Sequence, residues 1–379
     1  MRKIVSTAFL SKRIGSLPEG CQLCVRGEKL VLFVTGLCPR RCWYCPISEK
    51  KKNRDVVYAN ERPIKFRRDV LEEARLMEAR GAGFTGGDPL TRLDRTLDYI
   101  RLLKKEFGPG FHIHLYTSGI GASRKVLGRL FKAGLDEIRF HPAKKDWRKI
   151  KDALTFDWSV GVEIPTLPGE IERTKSFISY IDDLGVNFIN LNELEVSYTN
   201  VDNIERRGYE PMDESFSVNG VEKAAEELLS FCQMETSLRV HYCTIALKDG
   251  FQIGNRLKRR ARNVAREFDV VTNEGLLVRG AIYLQEFSPS YGYERKIESL
   301  SSQKRIRLIE RLRGITERLK TEFGIPEEFL RVDDRKIRIL TRADITEKIA
   351  DELKKLKLKP AIVEEYPTWD ALTVDLEHI

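Results

Sequence analysis

The sequence predicts an α/β protein built on a parallel β-sheet. Short β-rich runs alternate with amphipathic helical runs from about Leu30 to Leu191, which is the order expected of βα units. Each connection has room for one helix, and right-handed crossovers of that kind place the strands parallel. Polar and glycine-containing motifs follow the strands, at the edge where parallel α/β sheets carry their chemistry. A doubly wound sheet and a partial barrel both satisfy this pattern.

Each element is predicted from its local pattern. The strands are short apolar or β-branched runs, and the helices repeat apolar residues at helical spacing. Gly108-Pro109-Gly110 ends one of these helices. The predicted strands are 30–35, 81–85, 112–117, 137–140, 159–164 and 188–191. The predicted helices between them are 69–80, 93–107, 123–132, 145–155 and 170–184.

The regularity weakens beyond Leu194, which predicts that the chain has further parts. A hairpin is expected around Asn273-Glu274-Gly275 and a long amphipathic helix from Ser302 to Phe323. We therefore divide the chain into four regions. They are an N-terminal extension (1–27), the βα region (28–195), a basic α+β extension (196–330) and a small β-α-β terminal module (331–379).

Composition limits the class of protein. The chain has 379 residues, of which 41% are hydrophobic and 32% charged, and this excludes a disordered or low-complexity protein. No apolar run approaches the ~18–20 residues that cross a bilayer, and the first residues lack the apolar core of a signal peptide. We expect a soluble cytoplasmic protein without a membrane partner.

The charge balance permits a polyanionic partner. Lys and Arg number 66 against 57 Asp and Glu, a net charge of +9. Two segments concentrate the positive charge: 50–54, and a predicted helix over 255–266 with five arginines and one lysine. Arginine suits phosphate groups, but a solvated helix face explains the pattern equally well. The helix has no aromatic residue on which bases could stack.

Cysteine placement is the most informative feature. Five of the seven cysteines fall within residues 21–45, and such clustering in an intracellular protein indicates metal. Cys38, Cys42 and Cys45 follow the first predicted strand of the βα region with the spacing C-x3-C-x2-C. Three thiolates can bind three irons of one cubane and leave the fourth iron open to another ligand. Structural zinc sites favour paired C-x2-C knuckles, so this spacing fits zinc poorly.

This loop resembles the signature of the radical S-adenosylmethionine (radical SAM) enzymes, in the branch related to pyruvate formate-lyase activating enzymes and archaeal iron–sulfur oxidoreductases. The resemblance implies a partial (β/α)6 barrel over 28–195, in which Cys38, Cys42 and Cys45 bind a [4Fe–4S] cluster. It also implies that SAM chelates the open iron and that Tyr44 faces the adenine. One electron then cleaves SAM to a 5′-deoxyadenosyl radical that abstracts hydrogen from a substrate.

A second motif supports the resemblance. Gly86-Gly87-Asp88 is similar to the glycine-rich "GGE" turn of the superfamily, where glycines let the backbone approach the SAM methionine. Asp88 replaces the commoner Glu. The later strand ends imply further polar contacts to SAM. The residues assigned to them are Ser118, His141, Glu163 and Asn192.

Four cysteines lie outside the signature. Cys21 and Cys24 form a C-x2-C pair that can bind one metal ion with two further ligands, for which Cys232 and Cys243 are the cysteine candidates. We predict a second zinc or iron–sulfur site from these four residues. Inert buried thiols or a disulfide are the alternatives.

These observations predict a radical SAM oxidoreductase or transferase that needs an electron donor of the ferredoxin or flavodoxin type. The basic segments favour a structured RNA such as tRNA as the substrate. A glycyl-radical activase, or another peptide- or protein-modifying enzyme whose C-terminal region docks a polypeptide, is the first alternative. A non-catalytic iron–sulfur or zinc protein is the second.

Overall fold

The computed structural model describes residues 2–379, which form two compact units. One unit ends at Arg256 and the other runs from Leu257 to Ile379. The predicted boundaries at 195 and 330 therefore fall inside units.

The first unit contains an eleven-stranded sheet with the order β1-β2-β11-β10-β9-β8-β7-β6-β3-β4-β5. Its strands are β1 (Ile4–Ser6), β2 (Lys12–Ile14), β3 (Lys29–Thr35), β4 (Tyr58–Ala59), β5 (Arg62–Pro63), β6 (Gly81–Gly86), β7 (His112–Thr117), β8 (Glu137–Phe140), β9 (Ser159–Pro165), β10 (Phe188–Asn192) and β11 (Arg239–Cys243). The predicted alternation and the six predicted strands are confirmed, with ends shifted by at most one residue.

The parallel part of the sheet has seven strands, from β3 to β11. The seventh strand, β11, pairs with β10 in parallel register, Asn190 opposite His241. The structure thus differs from the predicted six-stranded barrel ending at 195. The reason is the long insertion between β10 and β11, which interrupts the regular spacing of the βα units along the sequence.

The N-terminal residues belong to this same unit, although 1–27 was predicted as a separate extension. The hairpin β1–β2 pairs antiparallel with β11. Helix α1 (Glu19–Val25) packs against β3, β6 and β7, and also against the segment Leu247–Ile253 that follows β11. Because α1 contacts elements near both edges of the parallel sheet, the sheet curves around it as a partial barrel. The barrel is open, since β4 and β5 extend one edge and β1 and β2 the other.

The two faces of the sheet differ in polarity. Alternate residues such as Leu115, Ile138 and Val162 join the main hydrophobic core, which lies between the sheet and its helices. The helices that accompany this sheet are α2 (Arg67–Leu76), α3 (Leu93–Phe107), α4 (Arg124–Ala133), α5 (Arg148–Ala153), α6 (Ile171–Asp183), α7 (Val201–Glu205) and α8 (Val221–Glu235). The residues between those core positions face α1, and many of them are polar.

The second unit is an antiparallel sheet with helices. Its strands are β12 (Val270–Val271), β13 (Leu277–Leu284), β14 (Arg331–Asp333), β15 (Arg338–Thr341), β16 (Leu358–Glu365) and β17 (Thr373–His378). Its helices are α9 (Gly254–Val264), which begins just before the division, α10 (Tyr293–Glu298), α11 (Ser302–Phe323), α12 (Ala343–Lys348) and α13 (Ala350–Lys355). The predicted hairpin and long helix are present.

The terminal β-α-β module is not separate from the preceding residues. Strands β15 and β16 both pair with β13, which lies between them and comes from the region predicted as 196–330. A sheet cannot be divided at its central strand without exposing the hydrogen-bonding groups of that strand. The predicted boundary at 330 is therefore wrong, because it would separate β13 from the two strands that pair with it. Within residues 2–379 the structure contains no helix with the length and apolar character needed to span a membrane.

Candidate radical SAM site

The cysteine loop leaves the carboxyl end of β3. Its ends are joined by backbone hydrogen bonds, from Gly36 N to Arg54 O at 2.8 Å and from Asn53 N to Gly36 O at 3.0 Å. All three signature cysteines are free thiols and half-buried. They are Cys38, Cys42 and Cys45. The loop therefore presents three thiols together at the edge of the sheet where chemistry was expected.

These thiols fit an iron–sulfur cluster better than a single metal ion. Among residues 2–379, no group of three or more Cys, His, Asp or Glu side chains could hold one metal ion. Thiolates that each bind a different iron of a cubane do not have to converge on one point. Sulfur ligands select iron–sulfur clusters or zinc, and three protein ligands leave one iron of a [4Fe–4S] cluster open.

Tyr44 is tied to the end of β8. Its hydroxyl lies 2.7 Å from His141 Nε2, and His141 Nδ1 lies 2.8 Å from the backbone oxygen of Glu163. Burial, and then the neighbouring Cys42 thiol, raise the pKa of Tyr44, so the phenol keeps its proton. Both nitrogens of His141 are thus engaged within the protein. A direct contact of this ring with SAM, as predicted, would have to replace one of these hydrogen bonds.

The Gly86-Gly87 turn packs on the start of the cysteine loop. Gly86 has a φ of +138°, and a Cβ there would lie 2.2 Å from Thr35 O. A Cβ on Gly87 would lie 2.3 Å from Leu37 O. The Gly87 N–H donates to Thr35 O at 2.8 Å, so this group is already used inside the protein. The cysteine loop thus approaches these glycines closely, and the predicted approach of SAM to the same turn stays a prediction.

Asp88 connects that turn to the end of β7. Its carboxylate is buried and accepts hydrogen bonds from Leu90 N, from the Thr117 hydroxyl, and from the backbone and hydroxyl of Ser118. Asp88 therefore caps the short helix Pro89–Arg92 and holds Ser118. Asp88 and Ser118 are thus bonded to each other, and the predicted contact of these two side chains with SAM stays a prediction.

Glu163 lies among partners on neighbouring strands. Arg139 donates to Glu163 Oε2 at 2.9 Å, Asn190 to the same oxygen at 2.8 Å, and Asn192 to Oε1 at 3.0 Å. Burial alone would raise the pKa of Glu163, but the Arg139 charge and the amide hydrogen bonds outweigh it and lower that pKa. Glu163 is thus an ionised member of an internal network. Asn192 Oδ1 has no hydrogen-bond partner in the described part of the chain.

A cavity of about 240 Å³ opens beside the cysteine loop. Its wall includes the loop from Arg40 to Tyr44, the His141 ring, and side chains from the segments that follow β8 and β9, Trp147 and Phe177 among them. Trp43 stacks on Tyr209 with ring centroids 5.4 Å apart. Aromatic walls suit a planar ligand that stacks against them.

The second metal site predicted from four cysteines is not assembled. Cys232 lies in the hydrophobic core between α8 and the sheet, whereas Cys243 lies on the opposite face of β11. The sheet therefore separates these two thiols. Cys21 is on the Cys243 side, where Asn190 Nδ2 lies 3.3 Å from its sulfur, and Cys24 follows it on α1. Burial raises the pKa of Cys21, Cys232 and Cys243 to about 12 in each case.

Several interior residues escaped the sequence analysis. Arg139 donates to Glu137 at 2.6 Å as well as to Glu163, and His112 lies 2.7 Å from Lys29 Nζ. The signal that could have found them is polar residues at alternate positions of strands predicted to be buried, as in His112-Ile113-His114 and Glu137-Ile138-Arg139. No sequence pattern indicated that Tyr209 and Asn200 would contact the cysteine loop.

Proteins of similar sequence identify the family of this chain. The model of the radical SAM superfamily matches residues 32–143, and a domain of unknown function matches 275–379. A protein of Methanocaldococcus jannaschii, MJ0021, is 36% identical over 384 residues, covering 97% of this chain and 94% of that protein. Its name assigns it provisionally to the glycyl-radical enzyme activating enzymes.

The chain belongs to the radical SAM superfamily. As a radical SAM enzyme it uses SAM and a [4Fe–4S] cluster as cofactors. Two solved structures resemble it remotely. They are Streptococcus suis SuiB bound to SAM (10% identity, 57% of this chain and 50% of that chain, TM-score 0.41) and the methyltransferase TsrM from Kitasatospora setae (12% identity, 65% and 54%, TM-score 0.36). This chain spans about half the length of each.

Proposed function

We propose that this radical SAM enzyme acts on a protein partner and generates a radical on a glycine residue of that partner. The observation that carries the proposal is the 36% identity to the M. jannaschii protein over nearly the whole of both chains. The proposal takes the first alternative from the sequence analysis in preference to RNA modification.

Cys38, Cys42 and Cys45 would hold the cluster, for which their loop has three thiols and no fourth. A reduced [4Fe–4S] cluster held by these thiolates would supply the electron for reductive cleavage of SAM and so start radical chemistry on the substrate. The chain itself orients the loop through Tyr44 and His141 and provides the aromatic cavity beside it. We propose Asn192 as a SAM contact, because its free Oδ1 needs a donor.

The insertion between β10 and β11 favours a macromolecular substrate. Asn200 Nδ2 donates to the Tyr44 backbone oxygen at 3.0 Å, which places this segment beside the cysteine loop. The same segment exposes Tyr198 fully and Phe216 by 66%. Exposed aromatic side chains next to a reactive site suit recognition of a polypeptide.

Anaerobic reconstitution tests the proposal. The full chain is loaded with iron and sulfide, reduced with dithionite and mixed with SAM and the glycyl-radical protein encoded by the same organism. We expect 5′-deoxyadenosine together with the EPR signal of a glycyl radical in the partner. The matched control is the Cys38→Ala, Cys42→Ala, Cys45→Ala triple variant. 5′-Deoxyadenosine without a partner radical would contradict the activase proposal and leave the radical SAM assignment standing.

One observation still favours RNA modification, namely that three cations of the basic segments are exposed. They are Lys50, Arg54 and Arg262. Other members of the two basic segments have internal roles. Arg260 is buried, and Lys51 lies over the Tyr58 ring at 4.6 Å and pairs with Glu61. A tRNA filter-binding titration in rising salt separates the alternatives, since phosphate contacts weaken steeply with salt. Absent or salt-insensitive binding would exclude RNA as the substrate.

We also propose that the electron donor is a protein of the ferredoxin or flavodoxin type. Reduced ferredoxin or flavodoxin in place of dithionite should support 5′-deoxyadenosine formation, and failure of both would contradict that assignment.

A further inference from the structure

The cavity beside the cysteine loop carries an excess of positive charge. Its wall contains four cationic side chains and one carboxylate, Glu170, which pairs with Arg173 at 2.8 Å. The other cations of the wall are Arg40, Arg41 and Lys144. A backbone oxygen accepts a hydrogen bond from Arg40, whereas Arg41 and Lys144 are exposed and form no ion pair within residues 2–379. Two cations beside the loop are therefore not neutralised.

The segment that contains Lys144 adds two more cations of this kind. Lys145 and Arg148 are exposed, and the described part of the chain gives neither of them an acidic partner. The backbone is helical through Trp147, so residues three apart lie on the same side of the segment. Asp146, the acid of this segment, has Oδ2 buried. The segment therefore presents positive charge to solvent.

A fifth cation comes from the insertion between β10 and β11. Arg207 is exposed and lies over the Trp43 ring, 4.9 Å from its centroid, which places it at the cysteine loop. Other cations at this edge of the sheet are neutralised, as Arg92 and Arg95 are by Asp55. Unpaired charges of one sign favour a partner of the opposite sign. We call the five unpaired side chains the basic rim: Arg41, Lys144, Lys145, Arg148 and Arg207.

The position of the basic rim favours a protein that delivers electrons. Reductive cleavage of SAM consumes one electron, which the proposed donor brings to the cluster from outside the chain. We propose that the basic rim docks an acidic electron-transfer protein, whose reduced centre loses one electron while the oxidised cluster gains it. The inference rests on the proposed function, in which the cysteine loop holds the cluster and a protein donor reduces it.

RNA suits the basic rim less well than an acidic protein does. The aromatic ring at the rim, Trp43, stacks on Tyr209 and lies under Arg207. This ring is therefore already covered within the chain, whereas proteins that bind single-stranded RNA use free aromatic rings as platforms for bases.

Calorimetric titration of the reconstituted full chain tests the docking directly. The probe is the ferredoxin or flavodoxin that supports SAM cleavage, in its oxidised form so that no turnover occurs. We expect binding that weakens as salt rises, because salt screens the attraction between charges. In Lys145→Glu, Arg148→Glu, the rim variant, the Kd at low salt should rise about tenfold.

The matched control is Lys105→Glu, Lys132→Glu, which changes the net charge by the same amount. Both lysines are exposed, near the carboxyl ends of α3 and α4. These helix ends lead into the strands at the opposite edge of the sheet, away from the cysteine loop. The control variant should bind the donor with the Kd of the wild type.

The source of the electron separates donor docking from other roles of the basic rim. With the reduced donor protein, 5′-deoxyadenosine formation by the rim variant should show a KM for the donor that is raised by about the same factor as its Kd. With saturating dithionite, the rim variant should match the wild type in 5′-deoxyadenosine and in the glycyl radical formed on the partner protein.

Four results would overturn the proposal. They are a donor Kd that is unchanged in the rim variant, an equal loss of binding in the rim and control variants, a loss of the partner radical in the rim variant with dithionite, and a loss of tRNA binding while donor binding is unchanged. The third result would assign the rim to the substrate protein and the fourth to RNA. A wild-type chain that binds its donor as expected but forms no partner radical would contradict only the activase.

Discussion

Asp88 and Ser118 are joined by two hydrogen bonds to one oxygen. The Ser118 hydroxyl donates to Asp88 Oδ2 at 2.6 Å and its backbone N–H donates at 3.0 Å. Asp88 follows β6 and Ser118 follows β7. The Asp88 carboxylate therefore links the ends of these two neighbouring strands, next to the cysteine loop.

Asp88→Ala should destabilise the protein, because it leaves several buried donors without an acceptor. We expect a loss of about 2–4 kcal/mol in the free energy of unfolding, measured by urea denaturation. Asp94→Ala is the control, since its side chain is 88% exposed and its ion pair with Arg129 should contribute little. A loss below about 1 kcal/mol for Asp88→Ala would contradict the structural role of this carboxylate.

Gly87→Ala should displace the cysteine loop. The new Cβ would lie 2.3 Å from Leu37 O, a backbone atom that cannot move without shifting the loop. We expect most of the iron to be lost after reconstitution, measured as iron per chain. Gly110→Ala is the matched control, because a Cβ there meets nothing within 4 Å. Equal iron content in the two variants would show that the loop tolerates this displacement.

Gly20→Ala should disturb the packing of α1 in the barrel. The Cβ would lie 2.4 Å from His114 Nδ1 and 2.5 Å from an Arg139 guanidinium nitrogen, in a buried and charged interior. Overpacking of this kind costs about 1–3 kcal/mol, which a thermal or urea unfolding curve would register. Gly314→Ala, on α11 and facing open space, should instead stabilise the protein by about 0.5–1 kcal/mol. A protein that is more stable with Gly20→Ala than with Gly314→Ala would mean that α1 is not packed as described.

We expect acid to destabilise the second unit through protonation of Glu365. Burial would raise its pKa, but the charge and hydrogen bonds of Arg338 and Lys336 outweigh it and lower the pKa from 4.5 to about 2. The carboxylate therefore contributes stability above pH 4.5 and loses it as the pH falls from 4.5 towards about 2. The contribution is about 3 kcal/mol, since one pKa unit corresponds to ~1.4 kcal/mol.

Hydrogen exchange of the β16 amides between pH 2 and pH 5 measures this loss. Glu365→Gln should lower the protection at pH 5 and flatten its pH dependence, whereas Glu377→Gln, an exposed residue of β17, should change neither. An unchanged pH profile in Glu365→Gln would refute the assignment.

The thiols should fall into two classes. In the cluster-free native protein, iodoacetamide should modify the half-buried Cys38, Cys42 and Cys45 but not Cys21, Cys232 or Cys243, whose burial raises their pKa to about 12. Peptide mass spectrometry identifies the labelled positions, and labelling in guanidinium, where every cysteine should react, is the control. Rapid native labelling of Cys232 would contradict its position in the core.

The sequence by itself determined the order of the βα units, the cysteine spacing and the glycine turn. These are local features, because strand alternation, helix periodicity and a C-x3-C-x2-C loop each depend on residues close together in the chain. The six strands of the βα region and the long helix Ser302–Phe323 were accordingly predicted with nearly the right ends. The superfamily followed from the same local signals.

Only the tertiary structure decided which distant residues share an environment. The sheet separates Cys232 from Cys243, joins β13 to β15 and β16, and adds β11 to the parallel strands. It also engages Asp88, Glu163 and His141 in internal hydrogen bonds, and the SAM contacts that the family resemblance implied for them stay a prediction. Buried polar groups must find partners within the fold, and which partners are in reach depends on strand register and curvature, which no local pattern encodes.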